Sequence, residues 1–272
     1  MKDRMALAMI TAAENDGRLK AGGAVVEYTG GSTGVSLALV CSVKKHPLHV
    51  VTSDAFSREK LDRMRLLGAE LTLIPSDNRK QTEKLTKDMI REAHALAERT
   101  GAYITGQMEN TDQLTAYTKL ADEVHKQTGG QIDAFVQSVG SGASLRGVSE
   151  RFHQLGNRIR VVTVEPEESA VLSGGPSGSH TIDGIGAGYV VPLWYDGIAD
   201  DFQAVSTADA RAMLYRLANE EGLFCGLSTG ANVTAALRIA ESLKTGSTVV
   251  TIACDSGLKY MSSFRQHMEP LF

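Results

Sequence analysis

The chain has 272 residues, 42% apolar and 22% charged, with a formal net charge of −4. That length suits one large α/β unit or two modest domains; the mild charge, with no basic stripe, argues against a nucleic-acid partner. The longest apolar runs, such as Val249 to Ala253, fall far short of a membrane span, and Met1-Lys2-Asp3-Arg4 opens no signal-peptide stretch, so a cytoplasmic protein is expected.

A helical pattern begins at once, with Met5, Met9 and Ala13 on one face and Ile10 beside them. Nothing precedes this helix to cap its free N–H groups, so the chain reads as one that has lost its beginning. Ala24 to Tyr28 reads as a strand, followed by a glycine turn and a helix from Thr33 to Lys45. Leu48 to Thr52 is a strand and Ser57 to Leu67 a helix, with Ser57 as N-cap. Glu70 to Ile74 is a strand, and residues 80–99 form a long amphipathic helix. Asp133 to Gln137 is a strand before a second glycine turn, with a helix from Gly142 to Gln154 and a strand from Arg160 to Glu165. Ser173 to Gly188 holds six glycines in sixteen residues, too many for an element interior, and Leu193 to Asp201 is loop-like. Thr207 to Glu221 and Ala231 to Leu243 read as helices and Thr248 to Ala253 as a strand. Strands alternating with long helices predict parallel sheets with helical crossovers.

Three cysteines (Cys41, Cys225, Cys254) stand far apart, and the seven histidines show no metal-ligand spacing, so no metal site is expected. The cysteines read as small buried apolar residues in a reducing compartment.

Thr29-Gly30-Gly31-Ser32-Thr33-Gly34 lies between a strand and a helix, where glycines and small hydroxylated residues expose backbone N–H groups to an anion. Alone, it reads equally well as a tight turn with a threonine cap. Val139-Gly140-Ser141-Gly142-Ala143-Ser144 repeats the theme after another strand. Gly140 and Gly142 also fit the start of a dinucleotide fingerprint, with Glu165 as ribose-binding acid, but Leu145 fills the third glycine position. Gly226-Leu227-Ser228-Thr229-Gly230 precedes a third helix and reads as a capped start; Lys2 alone is a charged helix start.

Together and in this order, these segments resemble the cysteine synthase and cystathionine β-synthase family of pyridoxal-phosphate (PLP) enzymes. Lys2-Asp3-Arg4 resembles the family's Schiff-base lysine and the helix it starts. Glu27 to Gly34 resembles its substrate-carboxylate loop and Gly140 to Ser144 its phosphate loop. Val164-Glu165-Pro166, Ser173-Gly174-Gly175, Ile182 to Gly188, Glu220 to Gly230, and Asp255-Ser256-Gly257 with Tyr260 follow the family's further motifs. Departures surround the substrate: Ser32 replaces the family's asparagine, Gly30 its serine, and Asn110 to Leu114 its proline-rich stretch. The family also carries a strand and a loop ahead of its lysine.

The resemblance implies a tryptophan synthase β-like fold of type II: two parallel-sheet α/β domains with the active site in the cleft between them. Residues 13–107 would form the smaller, substrate-loop domain, and 1–12 plus 108–272 the larger, phosphate-binding one. Lys2 would carry PLP and act as base; Gly140, Ser141, Gly142, Ala143 and Ser144 would cradle the phosphate; Ser228 would face the pyridine nitrogen. Thr29, Gly30, Ser32 and Thr33 would hold the substrate carboxylate with Gln107 assisting, Ser32 also lying near the cofactor. The implied reaction is β-replacement or β-elimination on a serine- or cysteine-derived amino acid through an aminoacrylate, with sulfide or a thiol as nucleophile, in a homodimer. The rival readings are a catalytically impaired relic of this fold and an NAD-linked dehydrogenase.

Overall fold

The computed structural model describes residues 1–78, 80, 82–261 and 264. The chain divides into two compact units, residues 2–116 and residue 1 with 117–272.

Among the described residues, the first unit carries a four-stranded, wholly parallel sheet. It comprises β1 (Val25–Tyr28), β2 (Leu48–Ser53), β3 (Glu70–Ile74) and β4 (Tyr103–Ile104), in the order β3-β2-β1-β4. Parallel strands are buried on both faces and so read as continuous apolar runs. Val26 and Val51 pack with Leu85, Met89 and Ala93 of α4 (Glu83–Thr100), the helix expected over residues 80–99. It starts later because Thr82 caps it, accepting the Leu85 N–H at 3.1 Å; residue 81 lies outside the described residues. α1 (Lys2–Asn15) packs on α2 (Ser32–Lys44) through the expected face, with Met5, Met9, Ile10 and Ala13 fully buried. α3 (Arg58–Leu66) has Ser57 at its N-cap, but the serine side chain makes no capping bond.

The second unit carries another four-stranded parallel sheet among the described residues. Its strands are β5 (Ala134–Ser138), β6 (Arg160–Pro166), β7 (Asp201–Val205) and β8 (Val249–Thr251), in the order β7-β6-β5-β8. Ala134, Val136, Val162 and Val164 pack against Ala231, Ala235 and Ile239 of α8 (Leu227–Ser242). Phe135 meets Phe152 of α6 (Ala143–Gln154) edge to face at 5.9 Å.

α5 (Leu114–Thr128) and β7 were not expected from the sequence. α8 also begins at Leu227, four residues before the expected Ala231. Gly230 therefore lies inside the helix, where glycine is normally costly. A Cβ there would stand 2.1 Å from the Ala210 carbonyl oxygen of α7 (Thr207–Glu221), so glycine is what lets the two helices touch backbone to backbone.

Met9→Ala should cost about 2–5 kcal/mol, because a fully buried side chain leaves a cavity. Leu7→Ala, on the exposed side of α1, should stay within about 0.5 kcal/mol of the parent. Urea unfolding of both variants checks the assignment of faces.

Candidate active site

In the first unit, β1 ends at Tyr28 and α2 starts four residues later, leaving Thr29, Gly30 and Gly31 as the turn. Gly31 is the N-cap and supplies no side-chain acceptor to the first N–H groups of α2. The Thr29 hydroxyl accepts the Gly31 N–H at 3.3 Å. A Cβ on Gly30 would stand 2.0 Å from the Phe56 ring, so any larger residue there must displace that side chain. The family's serine is thus exchanged for space that Phe56 occupies.

Thr33 is buried, and its hydroxyl donates to the Gln107 side-chain oxygen at 2.5 Å. The loop and Gln107, far apart in sequence, are therefore brought together. Behind them lies Glu27, the one acid inside an otherwise apolar strand and fully buried. Its carboxylate accepts the Thr105 hydroxyl at 2.6 Å and the backbone N–H groups of Gln107 at 3.0 Å and Tyr28 at 2.9 Å. Gln107 is thus held at its backbone by Glu27 and at its side chain by Thr33. Burial pushes the Glu27 carboxyl up to about 7, and the donors around it pull the other way.

Where the family has prolines, this chain uses amides. Asn110 donates to the Thr105 carbonyl at 2.8 Å, and Gln113, fully buried, donates to the carbonyls of Gln107 at 2.7 Å and Asn110 at 2.6 Å. Glu27, Thr105 and Gln113 were not singled out as site residues from the sequence; a lone glutamate in Ala-Val-Val-Glu-Tyr was the available signal.

Lys2 is half-buried at the start of α1. Its neighbour Asp3 accepts the Ser36 hydroxyl of α2 at 2.5 Å. The helix bearing Lys2 is thereby pinned to the helix that opens at Ser32.

In the second unit, β5 leads through Val139, Gly140, Ser141 and Gly142 into α6. Gly142 has φ +88°, a left-handed conformation suited to glycine, and gives α6 no side-chain cap. A Cβ on Gly140 would stand 2.3 Å from the Gly184 carbonyl oxygen, and the Gly186 N–H donates to the Val139 carbonyl at 3.0 Å. The glycine-rich segment is thus folded down onto the loop. Ser141, Ala143 and Ser144 are buried around the helix start. Ser228 is buried in the first turn of α8, where the hydroxyl of its neighbour Thr229 accepts the Cys254 backbone N–H at 3.0 Å. Burial raises the Cys254 and Cys225 thiols and pushes Cys41 up to about 12, which keeps all three protonated.

Glu165 does not serve as a ribose-binding acid. Its two oxygens accept the Leu172 and Ser173 N–H groups at 2.6 and 2.9 Å. Leu145, fully buried, fills the space where a dinucleotide fold needs a small residue.

Two outcomes follow for the first unit. Glu27 binds its proton more tightly folded (about 7) than unfolded (about 4.5), so its contribution to stability is fully present below pH 4.5 and is lost as pH rises to 7. The loss should be about 3 kcal/mol at most, and Glu27→Gln should flatten that slope in urea midpoints taken from pH 4.5 to 8. Gly30→Ser should destabilise by about 1–3 kcal/mol through overpacking against Phe56. In a Phe56→Ala background the same serine should cost far less; equal costs in both backgrounds would remove Phe56 as the cause.

Comparison with known proteins agrees with this geometry. The family of pyridoxal-phosphate dependent enzymes matches residues 1–255. Cysteine synthase of Staphylococcus aureus (strain Mu50) is 37% identical over 268 residues, covering 97% of this chain and 84% of that protein. Among solved structures, O-acetylserine sulfhydrylase isoform 3 from Entamoeba histolytica superposes with a TM-score of 0.90 at 33% identity, over 100% of this chain and 80% of that one. The O-acetylserine-dependent cystathionine β-synthase from Helicobacter pylori superposes at 0.89 and 33% identity, over 96% and 84%. Both sheets, their parallel strands and the order of the glycine turns follow from membership: the chain belongs to the pyridoxal-phosphate-dependent enzymes, in the cysteine synthase and cystathionine β-synthase family.

Proposed function

We propose that Lys2 is the amine that carries PLP, and that the chain uses it to exchange the β-substituent of an activated serine for sulfide or a thiol. PLP-dependent β-replacement is the reaction its relatives support. Neither the dehydrogenase reading nor that of an inactive relic finds support among them.

The single observation that carries the reading is the cradle from Gly140 to Ser144. No Cβ could stand on Gly140, Gly142 turns left-handed, and the N–H groups opening α6 receive no side-chain cap. That is a seat for a phosphate, which the positive end of a helix and two buried hydroxyls would hold. The residues therefore fit the cofactor. When bound, PLP withdraws electrons from the substrate's Cα and lets the β-substituent leave.

The chain's own residues supply the rest. Gly140, Ser141, Gly142, Ala143 and Ser144 hold the phosphate. Ser228 offers the ring nitrogen a neutral hydroxyl, which does not stabilise its protonated form as a carboxylate would; elimination is then favoured over transamination. Thr29, Gly30, Ser32 and Thr33 bind the substrate carboxylate through hydroxyls and the open start of α2, with Gln107 fixed beside Thr33. Lys2, once released, takes the proton from Cα. The relatives' names point to O-acetylserine as a substrate of this class. A cytoplasmic homodimer is the assembly proposed from the family resemblance, and no helix among the described residues is long and apolar enough to cross a membrane.

Borohydride reduction of the PLP-loaded protein, followed by peptide mass mapping, should place a pyridoxyl group on Lys2. Finding it on Lys44, Lys60 or Lys259 instead would overturn the assignment. Lys2→Ala should lower turnover about a hundredfold or more.

A further inference from the structure

Behind the phosphate cradle, the second unit holds two amides buried as deeply as any apolar residue in it. Gln137 and Asn232 are both 0% exposed, and Cys254 beside them is 6% exposed. Ala134, Phe135 and Val136 show that strand β5 needs no polar side chain in order to pack. A buried amide costs folding free energy unless its donors and acceptors are met. These two are met, and by a particular set of partners.

The direction of each bond is forced. Asn232 accepts the Ser138 backbone N–H at 2.8 Å and donates to the Ile252 carbonyl at 3.0 Å. Neither backbone group can reverse its role, so the amide cannot be flipped. The Asn232 nitrogen then donates to the Gln137 side-chain oxygen at 3.0 Å. That in turn aims the Gln137 nitrogen at the Ser144 hydroxyl, 3.3 Å away, and at the Cys254 sulfur, 3.8 Å away. Asn232 reaches the same sulfur at 3.5 Å. The Cys254 backbone N–H is fixed by the Thr229 hydroxyl at 3.0 Å. Ser228 and Asn232 stand four residues apart on α8, hence on one face.

We propose that Gln137, Asn232 and Cys254 are positioning residues that couple the phosphate-side hydroxyl of Ser144 to the first turn of α8, which carries Ser228 on the ring side. Because Gln137 donates to Ser144, an oxygen lone pair of that serine is taken and its own hydrogen is left to point into the cradle. At the other end, Cys254 is tied to α8 by Asn232 and by the Thr229 hydroxyl, which fixes the first turn that carries Ser228 and leaves the Ser228 hydroxyl available to the ring nitrogen. Cofactor bound at one anchor therefore finds the other already oriented. The proposal rests on the roles given above to Ser144 and Ser228.

The test uses the PLP-loaded protein and reads the phosphorus-31 resonance of the cofactor phosphate. Cys254→Ala, at the ring end, should move that resonance, Cys254→Ser should leave it nearer the parent position, and Gln137→Met should move it as well. In a cycle of PLP dissociation constants, Ser144→Ala and Ser228→Ala should depart from additivity by about threefold or more, and Gln137→Met should abolish the departure. A phosphate resonance unmoved by Cys254→Ala, or additive losses in the cycle, would reduce the three residues to core packing and overturn the proposal. If Ser144→Ala and Ser228→Ala each left PLP affinity unchanged, the anchor assignment itself would fall, and the proposal with it. Should Gln137→Met not fold, the Cys254 pair decides alone.

Discussion

The first N–H groups of an α-helix have no partner within the helix and must find one elsewhere. In this chain the helices treat that requirement in two ways. α4 and α7 are closed by side chains, Thr82 accepting the Leu85 N–H and Ser206 accepting the Asp209 N–H. α2, α3, α6 and α8 have no side-chain cap; α3 still places a serine at its start, whereas α2, α6 and α8 start at Gly31, Gly142 and Gly226. The three glycine starts adjoin the loop from Thr29 to Gly34, the turn from Gly140 to Ser144, and Ser228, to which the proposed function assigns substrate and cofactor binding. A serine or threonine cap at such a position is commonly worth about 1 kcal/mol, so glycine at three starts gives up stability and, under the proposed function, leaves places where an anion or a polar ring atom would supply the missing acceptor.

Buried polar groups tie together the segments beside those starts. In the first unit, Glu27 gathers the Thr105–Gln107 segment, and Gln107 reaches Thr33. In the second, Asn232 ties the ends of β5 and β8 through two backbone groups. Such networks stabilise only while every member is satisfied, since removing one partner strands the others in a low-dielectric interior. The apolar contacts, by contrast, tolerate exchange of shape within limits.

Much of this was legible in the sequence. The strands at residues 25–28, 48–53 and 70–74 and the helices at residues 143–154 and 207–221 carry strong periodicity and clear turn residues, and their bounds fall within a residue or so of expectation. The glycine turns were visible because few other uses place so many small residues between a strand and a helix. α5 was missed although Leu114, Tyr117 and Ala121 have helical spacing; the proline-free stretch before it drew attention to the loop. β7 reads Asp-Phe-Gln-Ala-Val, too short and too polar to signal a strand before β6 pairs with it. Glu27, Gln137 and Asn232 were illegible as a class. A polar residue looks solvated until a partner as far off as position 105 or 232 is brought against it.

Gly230 has a further consequence, in terms of what variation the chain can accept. The nearby Leu223 is exposed, so its side chain is little constrained by the helix packing. Position 230 is closed to every side chain, because the Ala210 carbonyl oxygen already stands where the first carbon would go. A lineage of this fold that replaced that glycine would have to move α7 and α8 apart, and would carry Ser228, two residues away, along with the displaced helix. Substitution at one site with no polar atom of its own is thereby constrained as tightly as substitution at the serine it positions.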